Sequence, residues 1–406
     1  MTDLPEARFL DRTTPPHVMT LVLIAGLGAM SMSTFLPSLP KMTEELNTSY
    51  DVMQLSVSGY LAVTAVLQLL IGPIADRYGR RIVLLVCHAI FIVATIGCAL
   101  APTVEVFLAF RMLQAAVAVG IVLSRAVVRD MYERDKAAAM IGYVTMGMAL
   151  VPMIAPSLGG AVDEALGWRA VFWLLCLSGI LVTALCWLDL GETSRGGGVS
   201  FAQQMHDYPE LLTSRRFWGY VFSAAFASGA FFAFLGGAPY VASTVFGLNS
   251  FWTGICLGAP AIGYALGNFL SARLTVRMGI NWMIRMGGII ASAGLAVAAL
   301  LTLIGLDSAL LFFGACTFVG LGNGLVMPNA GAGMLSVRPH LAGTASGLGA
   351  AIMIGGGAAL SVVAGVLIQR GGGSITLLAI MLLSVFLGLL AILYVMWREK
   401  QIEAEG

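Results

Sequence analysis

Apolar runs of about 20 residues recur along the entire chain, and no other feature limits the fold as strongly. A run of that length crosses a hydrocarbon core of about 30 Å as a helix. Inside lipid the backbone must satisfy its own hydrogen bonds, which a helix does. Twelve such runs are expected, at roughly 18–38, 52–72, 82–101, 106–127, 138–160, 169–189, 217–238, 252–271, 283–304, 309–330, 342–367 and 375–396. Only 11% of the 406 residues are charged and 59% are hydrophobic, whereas a soluble domain carries about 25% charged residues. The expected fold is therefore an all-α membrane protein of twelve transmembrane helices. The 49 glycines suit helices that approach one another through small residues.

An even number of spans puts both termini on one side. On that side fall 18 of the 22 basic residues, among them Arg77, Arg80, Arg81, Arg125, Arg129 and Arg277. Lys41, Arg169 and Arg370 fall on the other side, and Arg111 lies within a span. The positive-inside rule then makes both termini cytoplasmic. The first apolar run contains Pro37 and Pro40 and lacks a small-residue cleavage site, so it reads as a retained span. The polar segment 191–216 separates six spans, residues 1–190, from six more, residues 217–406. A flexible linker between equal halves suggests a duplicated unit. Arg77-Tyr-Gly79 and Arg277-Met-Gly279 recur 200 residues apart, although Val276 stands where the first copy has Asp76.

The stretch Gly72-Pro-Ile-Ala-Asp76-Arg77-Tyr-Gly79-Arg80-Arg81 puts four charges between two apolar spans. Gly72 and Gly79 suit a tight turn. Asp76 is placed to accept hydrogen bonds from arginines or from a helix start of the other half. Arg80 and Arg81 can pair with Asp130 or Asp189. Ion pairs of this kind can favour one arrangement of two rigid bodies over another, which makes the stretch a candidate conformational latch. The arginines also serve topology on their own account, whereas topology requires no acid at position 76.

Arg111 lies about two turns inside the fourth span, where an unpaired guanidinium is costly and marks a functional candidate. It can instead bond the backbone carbonyls of a neighbouring span. Gln114 shares its face and can orient it. His88 is the one histidine inside a span, a candidate titrating group or a satisfied structural residue. Pro152 and Pro156 remove helix hydrogen bonds in the fifth span, and Gly159 and Gly160 permit close approach there. None of the 21 acidic residues falls at mid-span. The six cysteines sit inside apolar runs without metal-type spacing. No phosphate-binding Gly-x-x-x-x-Gly-Lys-Ser/Thr stretch, metal cluster or catalytic triad stands out, so neither an enzyme nor a nucleotide-driven pump is expected, and no cofactor. A net charge of +1 implies no nucleic-acid partner.

The charged stretch resembles the signature loop of the major facilitator superfamily, and the six-plus-six layout agrees. Arg111-x-x-Gln114 resembles the second motif of its drug-exporting branch. Ala155-Pro156-Ser-Leu-Gly159-Gly160 resembles that branch's antiporter motif, with alanine for the first glycine. Phe35-Leu-Pro37-Ser-Leu-Pro40, Arg129-Asp130-Met-Tyr132, Met327-Pro-Asn329-Ala and Ala342-Gly-Thr-Ala-Ser346-Gly347 resemble the bicyclomycin and chloramphenicol/florfenicol exporters, the Bcr/CflA group. The resemblance runs from about residue 20 to 395 and implies two pseudo-symmetric six-helix halves. It implies that Arg111 couples protons to substrate and that the bend at Pro152 and Pro156 governs leak and direction. Relatives carry an aspartate where this chain has Ser33, which withholds the usual proton carrier. In the family, spans 1, 2 and 7 line the central cavity, which makes Phe35, Tyr60, Phe231, Phe234 and Tyr240 candidate substrate contacts. Asn268, Asn323 and Asn329 add polar groups inside spans.

The reading is a monomeric secondary transporter of the bacterial inner membrane, embedded in the lipid bilayer, exporting small amphipathic drugs in exchange for protons. A metabolite transporter of the same fold is the alternative. A non-transporting sensor would need a soluble domain that these short loops do not provide.

Overall fold

The computed structural model describes residues 8–132, 134–194, 209–338 and 341–405; at some positions, most of them between 134 and 153, only the backbone is described. In chain order the long helices are α1 (Val18–Glu45), α2 (Tyr50–Tyr78), α3 (Arg80–Leu100), α4 (Val104–Met131), α5 (Arg134–Leu166) and α6 (Trp168–Asp189). They continue as α7 (Arg215–Val245), α8 (Ser250–Met278), α9 (Ile280–Leu303), α10 (Ala309–Val337), α11 (Ala342–Leu367) and α12 (Gly373–Glu405). Eleven of them are long and apolar enough to cross a membrane. The helix α5, 33 residues long, completes the twelve that hydropathy anticipates. No strand occurs among the described residues.

Two helices of the first half are interrupted. In α1 the helix proper ends at Ser33, a 3-10 turn covers Leu36–Ser38, and Leu39–Glu45 resumes. Pro37 and Pro40 each fall in the opening turn of their segment, where a missing N–H costs nothing. In α4 a 3-10 stretch at Ala115–Ala118 separates Val104–Gln114 from Val119–Met131.

The polar stretch at 72–81 differs from the expected turn. The helix α2 continues through Pro73 to Tyr78 and only Gly79 breaks it. Pro73 forfeits one hydrogen bond, and Gly72, without a Cβ, relieves the crowding that a proline imposes on its predecessor. Nothing else halts the helix before Gly79, whose φ of 93° suits glycine. Gly279, with φ 83°, ends α8 and opens α9 in the same way. The 200-residue repeat is thus a repeat of backbone conformation.

The helices α1–α6 and α7–α12 form two six-helix halves. Small residues set the closest packing in the second half. Gly263 and Gly267 of α8 face Gly320 and Gly324 of α10, and a Cβ on any of the four would collide with the facing backbone. This is the small-xxx-small contact by which membrane helices associate. Between the halves, α2 packs on α11 and α5 on α8.

Candidate functional site

The two halves meet firmly at the end away from the chain termini. The Gln54 side chain donates to the Ser361 carbonyl, joining α2 to α11. Tyr50 Oη donates to the Gly236 carbonyl at 3.0 Å, and its ring lies 5.0 Å from that of Tyr240. Ser157 Oγ donates to the Gly254 carbonyl at 3.3 Å, joining α5 to α8. The backbones of these two helices nearly touch. A Cβ on Gly160 would strike the Ser250 carbonyl, and one on Gly254 would strike that of Pro156. Gly159 abuts the Thr34 carbonyl of α1 in the same manner. The antiporter-like motif is therefore the sealing surface of the far side. Pro156 takes part through its carbonyl; the side chain of Pro152 lies outside the described residues.

Toward the termini the same pair of helices diverges. Where α2 and α11 still approach, Ala65 lies 3.9 Å from the place a Cβ would take on Gly355. Further along, around Gly72 and Gly347, no atom comes within 4 Å of such a Cβ. The cross-half hydrogen bonds found among the described residues, those of Tyr50, Gln54 and Ser157, all lie at the far end. Between the diverging halves lies a cavity of about 310 Å³, within the range of small-molecule sites. Its wall is mostly apolar and aromatic, with Met32, Tyr60, Phe231, Phe232 and Tyr264, interrupted by Thr64, Gln68, Arg125 and Asn323. The molecule is closed on the far side and open toward the termini.

Arg111 stands behind this wall, fully buried. Its Nε donates to the Ser56 carbonyl of α2 at 3.1 Å, and Nη2 to the Ser31 carbonyl of α1 at 3.1 Å. Nη1 donates to Ser31 Oγ at 3.3 Å and to the Gln114 side-chain oxygen. Gln114 in turn donates to Thr95 Oγ1 of α3 at 2.8 Å. The rings of Phe35 and Tyr60 lie 4.3 and 4.1 Å from the guanidinium carbon. Four helices are thus tied to one cation by neutral acceptors and aromatic faces, with no carboxylate among its partners in the described residues. A guanidinium with its five donors in a planar fork suits such a cage. His88 lies elsewhere on α3, buried, with both ring nitrogens lacking a hydrogen-bond partner.

On the terminal side, Arg80 bridges two acids. Its Nη2 is 2.5 Å from Asp76 Oδ1 and its Nε 3.1 Å from Asp130 Oδ2. Arg81 donates to the Trp187 carbonyl at 3.0 Å and lies over that indole ring. Asp189, a candidate partner for Arg81, instead accepts from Leu10 N, His17 N and Thr20 Oγ1, which fastens the N-terminal segment to α6. Arg77 points along Tyr78, its guanidinium carbon 5.4 Å from the ring centre. No sequence pattern singles out Glu192. Its carboxylate accepts from Arg80 N at 2.8 Å and Arg81 N at 3.2 Å, capping the start of α3, where the helix dipole favours an anion. Every one of these contacts joins elements of the first half.

Of the aromatic candidates, Tyr60 and Phe231 line the cavity. Phe35 is enclosed between Arg111 and Phe172, with ring centres 5.9 Å apart in the Phe35–Phe172 pair. Phe234 is buried behind Phe231 and against Phe313. Tyr240 belongs to the far-side closure. Asn329 donates to Ser271 Oγ at 2.8 Å and accepts from Thr275 Oγ1 at 3.0 Å, tying α10 to α8. Ser33 spends its hydroxyl on the Ala29 carbonyl of its own helix. Sequence reasoning missed Arg125 as a wall residue, because its position near a span end suggests a side chain that reaches out to the interface.

Two helical halves that close at one end and part at the other around an apolar cavity define a secondary transporter. The chain belongs to the Major Facilitator Superfamily, whose sequence profile matches residues 21–362. Among its relatives is a chloramphenicol resistance protein of Pseudomonas aeruginosa, 34% identical over 326 residues, or 79% of this chain and 76% of the relative. Multidrug resistance protein D of Escherichia coli is 29% identical over 371 residues, 89% of this chain and 91% of the relative. The fold matches a bacterial homolog of the human lysosomal transporter Spinster in an inward-facing, occupied conformation. That match has a TM-score of 0.72 at 20% identity, over 94% of this chain and 96% of that one.

Proposed function

We propose that this protein exports small amphipathic compounds, drugs among them, across the bacterial inner membrane in exchange for protons. The observation that carries the reading is the cavity between the halves, sealed at the far side by α2–α11 and α5–α8 and open toward the termini. The names of the resistance proteins point the same way. The basic residues crowd the terminal side, so that side is cytoplasmic and the state seen here faces the cytoplasm. The protein acts as a monomer, with residues 1–190 and 217–406 rocking about the central site and 191–216 joining them. In this scheme Pro152, Pro156, Gly159 and Gly160 shape the far-side seal, and Tyr60 and Phe231 meet the substrate.

Arg111 does not itself release a proton. Its proposed part in coupling is to hold α1, α2 and α4 as one body, with Gln114 extending that hold to α3. Among the described residues the cavity wall carries no carboxylate or histidine, and His88, buried behind it, is the candidate proton acceptor. In inverted vesicles, an imposed outward proton gradient, acid in the lumen, is expected to drive uptake of a neutral amphipathic drug, and an uncoupler to abolish it. Uptake that ignores the gradient would remove the proton from the scheme.

Gly72, Asp76, Arg77, Gly79, Arg80 and Arg81 are proposed as the latch, with Asp76 changing partners when the cytoplasmic ends approach. Charge-assisted hydrogen bonds contribute about 1.5–3 kcal/mol each. Asp76→Asn is therefore expected to slow turnover about tenfold while leaving substrate affinity in the open state within about twofold, since tenfold corresponds to 1.4 kcal/mol. Unchanged turnover in a flux assay would exclude the latch.

A further inference from the structure

Two arginines of α4 are treated oppositely by the fold. Arg111 is caged. Arg125, 14 residues further along, stands on the cavity wall and makes no hydrogen bond or ion pair among the described residues. Among the described residues, no acid lines the cavity with it. The wall therefore presents a cation that no described residue neutralises. Two further groups point to a polar ligand. Thr64 Oγ1 of α2 and Asn323 Oδ1 of α10 are buried at the wall without hydrogen-bond partners, and these residues are only 4% and 6% exposed. Buried polar groups are normally paired. Gln68, one turn along α2 from Thr64, adds an amide near the same opening.

We propose that this cavity selects amphipathic molecules bearing a carboxylate or comparable anionic group over organic cations of the same size, with Arg125 as the residue that sets the preference. The proposal rests on the transport reading of the same cavity. A guanidinium fork matches a carboxylate with two parallel hydrogen bonds, the Thr64 hydroxyl and the Gln68 amide supply further donors, and Asn323 Oδ1, an acceptor, suits a hydroxyl or amide donor on the ligand's body. The aromatic walls formed by Tyr60 and Tyr264 take the apolar body. A cationic amphiphile would meet a like charge across an apolar wall with no carboxylate to offset it, an arrangement that rejects by repulsion.

The test uses the purified full-length protein in nonionic detergent and three matched probes: 2-naphthylacetate, 2-naphthylacetamide and 2-(2-naphthyl)ethylammonium. Equilibrium dialysis at neutral pH and low salt is expected to give at least about tenfold tighter binding of the carboxylate than of the ammonium. Arg125→Gln is expected to bring that ratio to within about twofold of unity, and Arg125→Lys to keep it above about threefold, since lysine retains the charge and loses the fork. Monodispersity and thermal melting of both variants establish that they are folded. A wild-type protein that binds the ammonium as tightly as the carboxylate overturns the proposal, as does a preference that survives Arg125→Gln. Binding of the amide without charge preference refutes the anion assignment while the cavity reading stands. Failure of all three probes to bind refutes both.

Discussion

Adding a methyl group to Gly160 and to Gly254 together is expected to hold the far side open and reduce transport at least tenfold, by the following physics. Each Cβ would enter a facing main-chain carbonyl, that of Ser250 or Pro156. Neither obstacle is the end of a flexible side chain, so the helices themselves must separate. Overpacking of this kind costs about 1–3 kcal/mol per site. Two sites acting on one closure shift the balance of far-side-closed and far-side-open states by a factor of about 30 or more, since each 1.4 kcal/mol is tenfold. A cysteine introduced at Ser157, which bonds across this seam, is expected to react with a membrane-impermeant maleimide at least about tenfold faster in the double variant. Gly347→Ala is the control, because no atom lies within 4 Å of its would-be Cβ and alanine favours the helix. Undiminished transport by the double variant, with unchanged labelling, would show that the seam does not separate during the cycle.

Arg111→Lys is expected to be more damaging to the folded protein than Arg111→Met. The present guanidinium reaches Ser31, Ser56 and Gln114 together and lies against two rings. Lysine keeps the charge in the same buried place and cannot span those acceptors, leaving a poorly solvated cation. That costs about 3–5 kcal/mol by analogy with a broken buried pair. Methionine removes the charge along with its desolvation, and its flexible thioether fills the space between the rings. The purified lysine variant should lose thermal stability by several degrees more than the methionine variant. The reverse order would mean that the cage is held together by charge alone. Both variants are expected to lose most transport, because α1, α2 and α4 no longer share a tether.

The membrane architecture was legible because lipid imposes it. Twelve runs of the right length became twelve helices, and Gly79 and Gly279 became equivalent turns because each needs a positive φ. What extended beyond the hydrocarbon was not legible. Hydropathy ends α2 near residue 72, while the backbone continues to Tyr78 because Pro73 weakens a helix without ending it. The partners of Arg111 could not be read either. Seryl carbonyls carry no sequence signature, and an arginine satisfied by main chain looks the same on paper as one awaiting an acid. Arg125 illustrates the converse. Distance from a span end says nothing about which face a residue occupies, and only the divergence of the two halves turns that face into a wall. Asn329 and Phe234 show how polarity and aromaticity mislead, since each is consumed by contacts within its own half.

Glu192 has a bearing on how the chain may be divided. Its carboxylate clasps the first two amides of α3, so the strand of polypeptide leaving α6 is fastened before the proposed linker crosses to the second half. The seam between the halves therefore lies downstream of that fastening. Two fragments separated beyond residue 194 would leave the bonds of Glu192 and Arg80 on the terminal side intact.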